Sequence, residues 1–208
     1  PWVDPRAGLV LDIGANEGDW TAVALQAFAG VEVLAAEPGS EPLTILRDRF
    51  ADRSNVMIDP RAVTDATGTA TYHRTRASVF ASLLPPSADI DDLYPLPGSP
   101  AEVVETVEVS TVTLDELVGE RPVSLLKLDV QGGELAVLRG GRRVLEHTAA
   151  VLIEVLFLPH YEGDTTFPGI HEAMTDLGFV LMDLSRPFRL DEGPALWADA
   201  CYARLPSR

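Results

Sequence analysis

Short apolar runs alternate with segments of helical period along most of the chain, the pattern of a mainly parallel sheet covered by helices on both faces. The runs Leu9 to Ile13, Val31 to Ala36, Val56 to Ile58, Leu125 to Val130, Val151 to Val155 and Phe179 to Leu184 predict strands. Between them, Trp20 to Phe28, Pro42 to Phe50 and Glu134 to Leu145 carry helical spacing. Ala198 to Leu205 predicts a last strand, antiparallel at the end of the sheet. Alternation breaks between Thr64 and Val112, where Thr69 to Arg74 and Val103 to Val112 predict two extra strands. They flank a stretch in which Pro85, Pro86, Pro95, Pro97 and Pro100 forbid a continuous helix. This insertion, about residues 75–100, carries Phe80, Leu83, Leu84, Leu93 and Tyr94, which suit a substrate cover, a homodimer contact or an ordered surface loop alike.

At 208 residues and 46% hydrophobic content, the chain fits a single α/β domain over 1–208. The formal charge of −16 would repel a phosphate backbone and an anionic lipid surface, so a small-molecule partner is expected rather than nucleic acid. The longest apolar stretch, Ala149 to Leu158, is interrupted by Glu154 and is about half of the roughly 20 residues a membrane span requires. Cys201 is the single cysteine and cannot form an internal disulfide, which makes a cytoplasmic location the expectation. Pro1 opens the sequence without a methionine, nothing after it resembles a signal peptide, and a preceding helix is left open.

Strand Leu9 to Ile13 runs into Asp12-Ile13-Gly14-Ala15-Asn16-Glu17-Gly18 and then a helical pattern, a strand-turn-helix unit suited to a nucleotide. Gly14 and Gly18 would let a ligand approach the backbone, and Asn16 can take the left-handed conformation that a middle glycine often supplies. Glu37 ends the second strand, where a carboxylate can accept hydrogen bonds from both hydroxyls of a ribose. Asp12 would sit badly beside a pyrophosphate, yet it suits the ammonium and sulfonium charges of S-adenosylmethionine. A nicotinamide cofactor is the competing reading. Asp59 and Ala62 follow the third strand, where the adenine would lie; Asp59 either bonds the exocyclic amine or shapes the turn before Pro60.

A second cluster of chemistry follows Leu125 to Val130. Asp129 and Gln131 stand at that strand's carboxyl end, where they should face the cofactor or the acceptor, and Glu154 holds the comparable place on the next strand. Asp129 and Glu154 would either coordinate a divalent cation such as Mg2+ or orient an acceptor by hydrogen bonds. Glu134 opens the following helix, where a carboxylate favours the dipole without further function. Candidate bases are Asp129, His160, His171 and His73, with His160 first among the histidines because it follows a predicted strand end.

Taken together, Leu11 to Gly18, Glu37-Pro38, Val112 to Leu117, Leu126-Lys127-Leu128-Asp129-Val130-Gln131-Gly132-Gly133-Glu134, Val137 to Gly140 and Ile153-Glu154-Val155 resemble the FkbM family of methyltransferases. The resemblance runs from about Leu9 to Leu184, and Ala81-Ser82-Leu83 resembles a Ser-Ser-Leu stretch of the family with alanine for the first serine. It implies a Rossmann-like class I methyltransferase fold and methyl transfer from S-adenosylmethionine to a hydroxyl of a natural product, sugar or glycolipid. Carried onto this chain, it places Asp12, Gly14, Asn16 and Gly18 in the cofactor loop, Glu37 at the ribose, and Asp129 with Gln131 at the active-site edge. The alternatives are a nicotinamide-dependent oxidoreductase and a noncatalytic module that binds S-adenosylmethionine.

Overall fold

The computed structural model describes Asp4 and residues 7–205. Its elements are β1 (Leu9–Ile13), α1 (Asp19–Ala27), β2 (Val33–Ala36), α2 (Ser40–Arg49), β3 (Val56–Asp59), β4 (Ala62–Thr64), β5 (Gly68–Thr75), α3 (Ile90–Leu93), β6 (Val103–Thr113), α4 (Leu114–Val118), β7 (Val123–Leu128), α5 (Glu134–Gly140), α6 (Arg142–Glu146), β8 (Thr148–Leu156), α7 (Phe167–Asp176), β9 (Val180–Leu184) and β10 (Trp197–Ala203). Seven strands form one sheet in the order β3-β2-β1-β7-β8-β10-β9. The run from β3 to β8 is parallel, and β10 pairs antiparallel with both β8 and β9. The last strand is therefore antiparallel as expected, but it is inserted between β8 and β9, so β9 takes the edge.

The alternation of side chains along β1 explains both layers. Leu9, Leu11 and Ile13 point to one face, where they join Leu126, Leu128, Val151 and Ile153 in the main core with residues of α4 to α7. Val10 points to the other face and packs with Val33 and with Ala24 of α1. All five residues of β1 are buried, as a central strand covered on both sides demands. The α2 side chains Leu43 and Leu46 close the same second face over Ala35.

Three departures from the sequence pattern have physical causes. The helix expected from Glu134 to Leu145 is two helices, α5 and α6, meeting at Gly140-Gly141. A Cβ on Gly140 would stand 2.3 Å from the Thr64 carbonyl oxygen, and one on Gly141 would stand 2.6 Å from Leu114 Cδ2, so tight packing passes through this junction. Helix α7 lay outside the expected elements; Ile170 and Met174, four residues apart, are its buried stripe, and a proline stands in its first turn. The extra strands Thr69 to Arg74 and Val103 to Val112 are β5 and β6, an antiparallel pair completed by β4 as a separate three-stranded sheet. The insertion between them holds a single 3-10 turn, Ser78–Phe80, and the short α3.

Candidate active site

A cleft opens at the carboxyl ends of β1, β2 and β7, the place where open parallel sheets bind ligands. One wall comes from Gly14, Asn16, Glu37 and Pro38, and another from Asp129, Val130 and Gln131. The insertion lines it with Ser78, Val79 and the run Ala81, Ser82, Leu83 and Leu84. The insertion thus supplies part of the cleft wall.

At the first wall, Asn16 adopts φ 47°, the left-handed conformation expected of it. This aims its backbone N–H at Glu37 Oε2, 2.9 Å away, while Gly39 N donates to Glu37 Oε1 at 2.7 Å. The carboxylate is buried yet lines the cleft, and the Tyr72 hydroxyl is a further hydrogen-bond neighbour beside its two backbone donors. Burial pushes the Glu37 carboxyl above its ordinary value, partly offset by the two backbone donors. Tyr72 of β5 lines the cleft close by, and burial with the Glu37 charge raises its phenol pKa. Ser78 of the insertion donates to Asn16 Oδ1 at 3.2 Å, tying the insertion to this turn.

The glycines of the turn serve the protein's own packing. A Cβ on Gly14 (φ 81°) would stand 1.8 Å from the Asp129 carbonyl oxygen, and one on Gly18 (φ 84°) would meet Leu46 and Phe50 at 2.6 Å. Gly14 lines the cleft, whereas Gly18 does not. Asp12 also lies beneath the cleft rather than in its lining. Its side chain takes the α1 face of the sheet, where Thr21 Oγ1 donates to Oδ2 at 2.6 Å and Lys127 Nζ stands 3.3 Å from Oδ1. Burial raises the Asp12 carboxyl pKa, with Lys127 and Thr21 opposing.

Asp59 is committed elsewhere. Its two oxygens receive the Arg61 backbone N–H, Nε and Nη2 at 2.6 to 2.9 Å, the turn-forming alternative rather than an open carboxylate. Although burial works to raise the Asp59 pKa, the Arg61 bonds outweigh it and hold the carboxyl below its ordinary value. Arg61 and Ala62, not Asp59, line the cleft.

At the second wall, Gln131 joins the two acidic strand ends. Its Nε2 donates to Asp129 Oδ1 at 2.7 Å and to Glu154 Oε2 at 3.2 Å, and its Oε1 accepts from Tyr161 Oη at 2.7 Å. Asp129 is about one-third exposed, lines the cleft and lies 3.3 Å from Lys127 Nζ. Glu154 lies behind Gln131, outside the cleft lining. Burial, then the charges of Asp129, Glu134 and Asp199, hold its carboxyl well above the ordinary range. An amide donor stands between Asp129 and Glu154 where a shared cation would have to sit. Among the described residues no group of three or more His, Cys, Asp or Glu side chains is arranged to hold a metal ion. These residues do not fit Mg2+.

Glu134 accepts from Val130 N at 2.9 Å and caps its own helix start; burial lifts its pKa to about 7. His160 is buried and absent from the cleft lining. Its Nδ1 donates to the Leu158 carbonyl at 2.7 Å, which leaves Nε2 to accept from Tyr94 Oη at 2.8 Å. Both ring nitrogens are therefore occupied within the protein, and burial lowers the imidazole pKa, favouring this neutral form. His171 of α7 pairs with Tyr202 of β10, and His73 lies on β5; neither histidine lines the cleft.

Lys127, to which the sequence motifs assign no role, lies beneath the cleft and joins its two walls. Its Nζ donates to the Gly14 carbonyl at 2.8 Å and stands between Asp12 and Asp129. A lysine inside the apolar run Leu125 to Val130 is the sequence signal, because a charge enters a buried strand only with partners. Tyr72 and Thr21 carry no comparable signal; tertiary packing alone brings them in.

Among the described residues no helix is long and apolar enough to cross a membrane. No curated protein matches the chain in sequence. Solved structures share its fold at low identity. An rRNA methylase from Streptococcus thermophilus superposes with a TM-score of 0.53 at 14% identity, covering 98% of this chain and 90% of that one. The ribosomal protein L11 methylase from Lactobacillus delbrueckii subsp. bulgaricus gives 0.52 at 14%, covering 95% and 69%. A Listeria monocytogenes protein assigned as an S-adenosylmethionine-dependent methyltransferase gives 0.56 at 10%, covering 98% and 93%. The family profile of the Methyltransferase FkbM domain matches residues 12–181. With its Rossmann-like sheet, its cleft at the strand ends and this match over most of its length, the chain belongs to the FkbM methyltransferase family.

Proposed function

We propose that this methyltransferase uses S-adenosylmethionine to methylate a hydroxyl of a small natural product, sugar or glycolipid. The observation that carries the reading is Glu37, a buried carboxylate at the end of β2 that lines the cleft and is held by two backbone donors. A carboxylate in that place suits the two hydroxyls of a ribose. Ala62 and Val63 offer an apolar wall for the adenine. When bound, S-adenosylmethionine supplies an electrophilic methyl group on a sulfonium centre.

The chain's own residues would do the rest. Asp129, partly exposed in the cleft and oriented by Gln131, is the group to accept the hydrogen of the acceptor hydroxyl. Val79, Leu83 and Leu84 would cover the reacting atoms and exclude water. The cleft's carboxylates and the net charge of −16 favour an acceptor without phosphate groups, and the lone cysteine is consistent with a cytoplasmic enzyme.

Calorimetric titration with S-adenosylhomocysteine tests the cofactor, followed by transfer of a labelled methyl group to a panel of sugars, phenols and polyketides. Absence of S-adenosylhomocysteine binding would overturn the reading. Binding without methyl transfer to any hydroxyl would favour the noncatalytic module.

A further inference from the structure

We propose that Tyr161 is a positioning residue that orients the side-chain amide of Gln131, and through it the acidic edge formed by Asp129 and Glu154. Tyr161 is 1% exposed and touches neither carboxylate through a hydrogen bond. Its hydroxyl stands between two acceptors, Gln131 Oε1 at 2.7 Å and the Phe80 carbonyl at 3.3 Å, and the shorter contact takes its hydrogen. Donation to Oε1 turns the Nε2 group of Gln131 toward Asp129 and Glu154. The reversed amide would bring Oε1 against the Asp129 carboxylate, oxygen against oxygen.

The backbone of the same residue is held as firmly. Gln131 has φ 59°, an uncommon conformation for a residue with a side chain, and Gly132 follows at φ 90°. Such conformations persist where the surroundings over-determine them. Here Ser82 Oγ of the insertion donates to the Gln131 carbonyl at 2.6 Å. On the other side the Tyr161 ring packs so closely on Gly132 that a Cβ there would lie 2.8 Å from Cδ2. Tyr161 itself is anchored by its N–H to Asp164 Oδ2 at 2.9 Å and by a bridge to Pro86. The β8–α7 loop and the insertion therefore set the edge together. The consequence for methyl transfer rests on the reading of Asp129 as the acceptor-side group, whereas the orientation of the amide does not.

The test is NMR of the Gln131 side-chain NH2 pair, assigned by its disappearance in Gln131→Glu. The wild-type protein should show two distinct, slowly exchanging protons with Overhauser contacts to the Asp129 β-protons. Tyr161→Phe keeps the ring against Gly132 and deletes the hydroxyl, and the pair should exchange roughly five- to tenfold faster. Ser82→Ala acts on the backbone carbonyl and should leave the pair's contacts to Asp129 in place. Contacts to the Tyr161 ring in place of Asp129, rapid exchange in the wild type, or an unchanged pair in folded Tyr161→Phe would each overturn the proposal. If Tyr161→Phe does not fold, the wild-type contacts decide. A parallel titration with S-adenosylhomocysteine separates the two inferences: no binding with an oriented amide removes the functional reading and leaves the role of Tyr161 standing.

Discussion

Asp12 and Lys127 are register partners on the adjacent parallel strands β1 and β7, and the Lys127 ammonium stands 3.3 Å from Asp12 and 3.3 Å from Asp129. Parallel partners point to the same face, so the pairing follows from strand order and register together. The two carboxylates hold the lysine in its charged form; although burial opposes, Asp129 and Asp12 raise its pKa. One buried cation thus links the floor beneath the glycine turn to the acidic end of β7.

Lys127→Met should therefore cost about 3–5 kcal/mol, because it leaves the fully buried Asp12 without its counter-charge. Urea unfolding measures this, and an unchanged midpoint would contradict the role.

Glu37→Gln should weaken S-adenosylhomocysteine binding roughly 10- to 100-fold, the effect of losing charge-assisted hydrogen bonds to a ribose. Calorimetry on the folded variant reads it directly. Undiminished affinity would remove Glu37 from the cofactor site.

Asp129→Asn should lower methyl transfer by about 100-fold or more with S-adenosylhomocysteine affinity largely kept, since the residue is assigned to the acceptor hydroxyl. Equal loss of both would move Asp129 to the cofactor side.

Gly14→Ala and Gly30→Ala share φ 81° but differ in surroundings. The added methyl at Gly30 meets nothing within 4 Å, so only left-handed strain of about 1–2 kcal/mol applies. At Gly14 it would enter the Asp129 carbonyl at 1.8 Å, and the variant should fail to fold or lose far more stability. Thermal melts of the two variants make the comparison; equal melting temperatures would refute it.

Stability should fall as pH rises through the range from about 4.5 to about 7. Glu134 has its folded pKa raised from 4.5 to about 7 by burial, so the native state holds a proton that the unfolded chain releases first. Its contribution is complete below the unfolded value and is lost as pH passes the folded one. Glu154, Glu37 and Asp12 shift in the same direction; His160, whose pKa burial lowers, opposes them within this window, whereas Asp59, held below its ordinary value by Arg61, acts only below it. Glu134→Gln should flatten the profile by up to about 3 kcal/mol between these limits. Denaturant melts across the pH series check the slope, and a rise in stability over that window would reverse the argument.

The parts of the site legible in sequence are those whose conformation is local. Asn16 takes its left-handed turn because two glycines and a following helix require one there, and Glu37 reaches the cleft because it ends a strand. Asp59 was ambiguous for the same reason: an Asp before Pro60 shapes a turn with its own neighbour, and Arg61 is only two residues away. Proximity to a strand end singles out His160, but Tyr94, sixty-six residues away in sequence, occupies its remaining nitrogen.

By itself the sequence determined the parallel core, the extra strand pair, the glycine turn after β1 and the acidic strand ends, because apolar period and turn chemistry act over a few residues. Tertiary structure alone decided that Asp12 lies beneath the cleft with Lys127, that Gln131 rather than a metal joins Asp129 to Glu154, and that the insertion lines the cleft. Those outcomes depend on which distant strands become neighbours and in what register, and on how polar groups are satisfied once water has left; no local pattern carries that information.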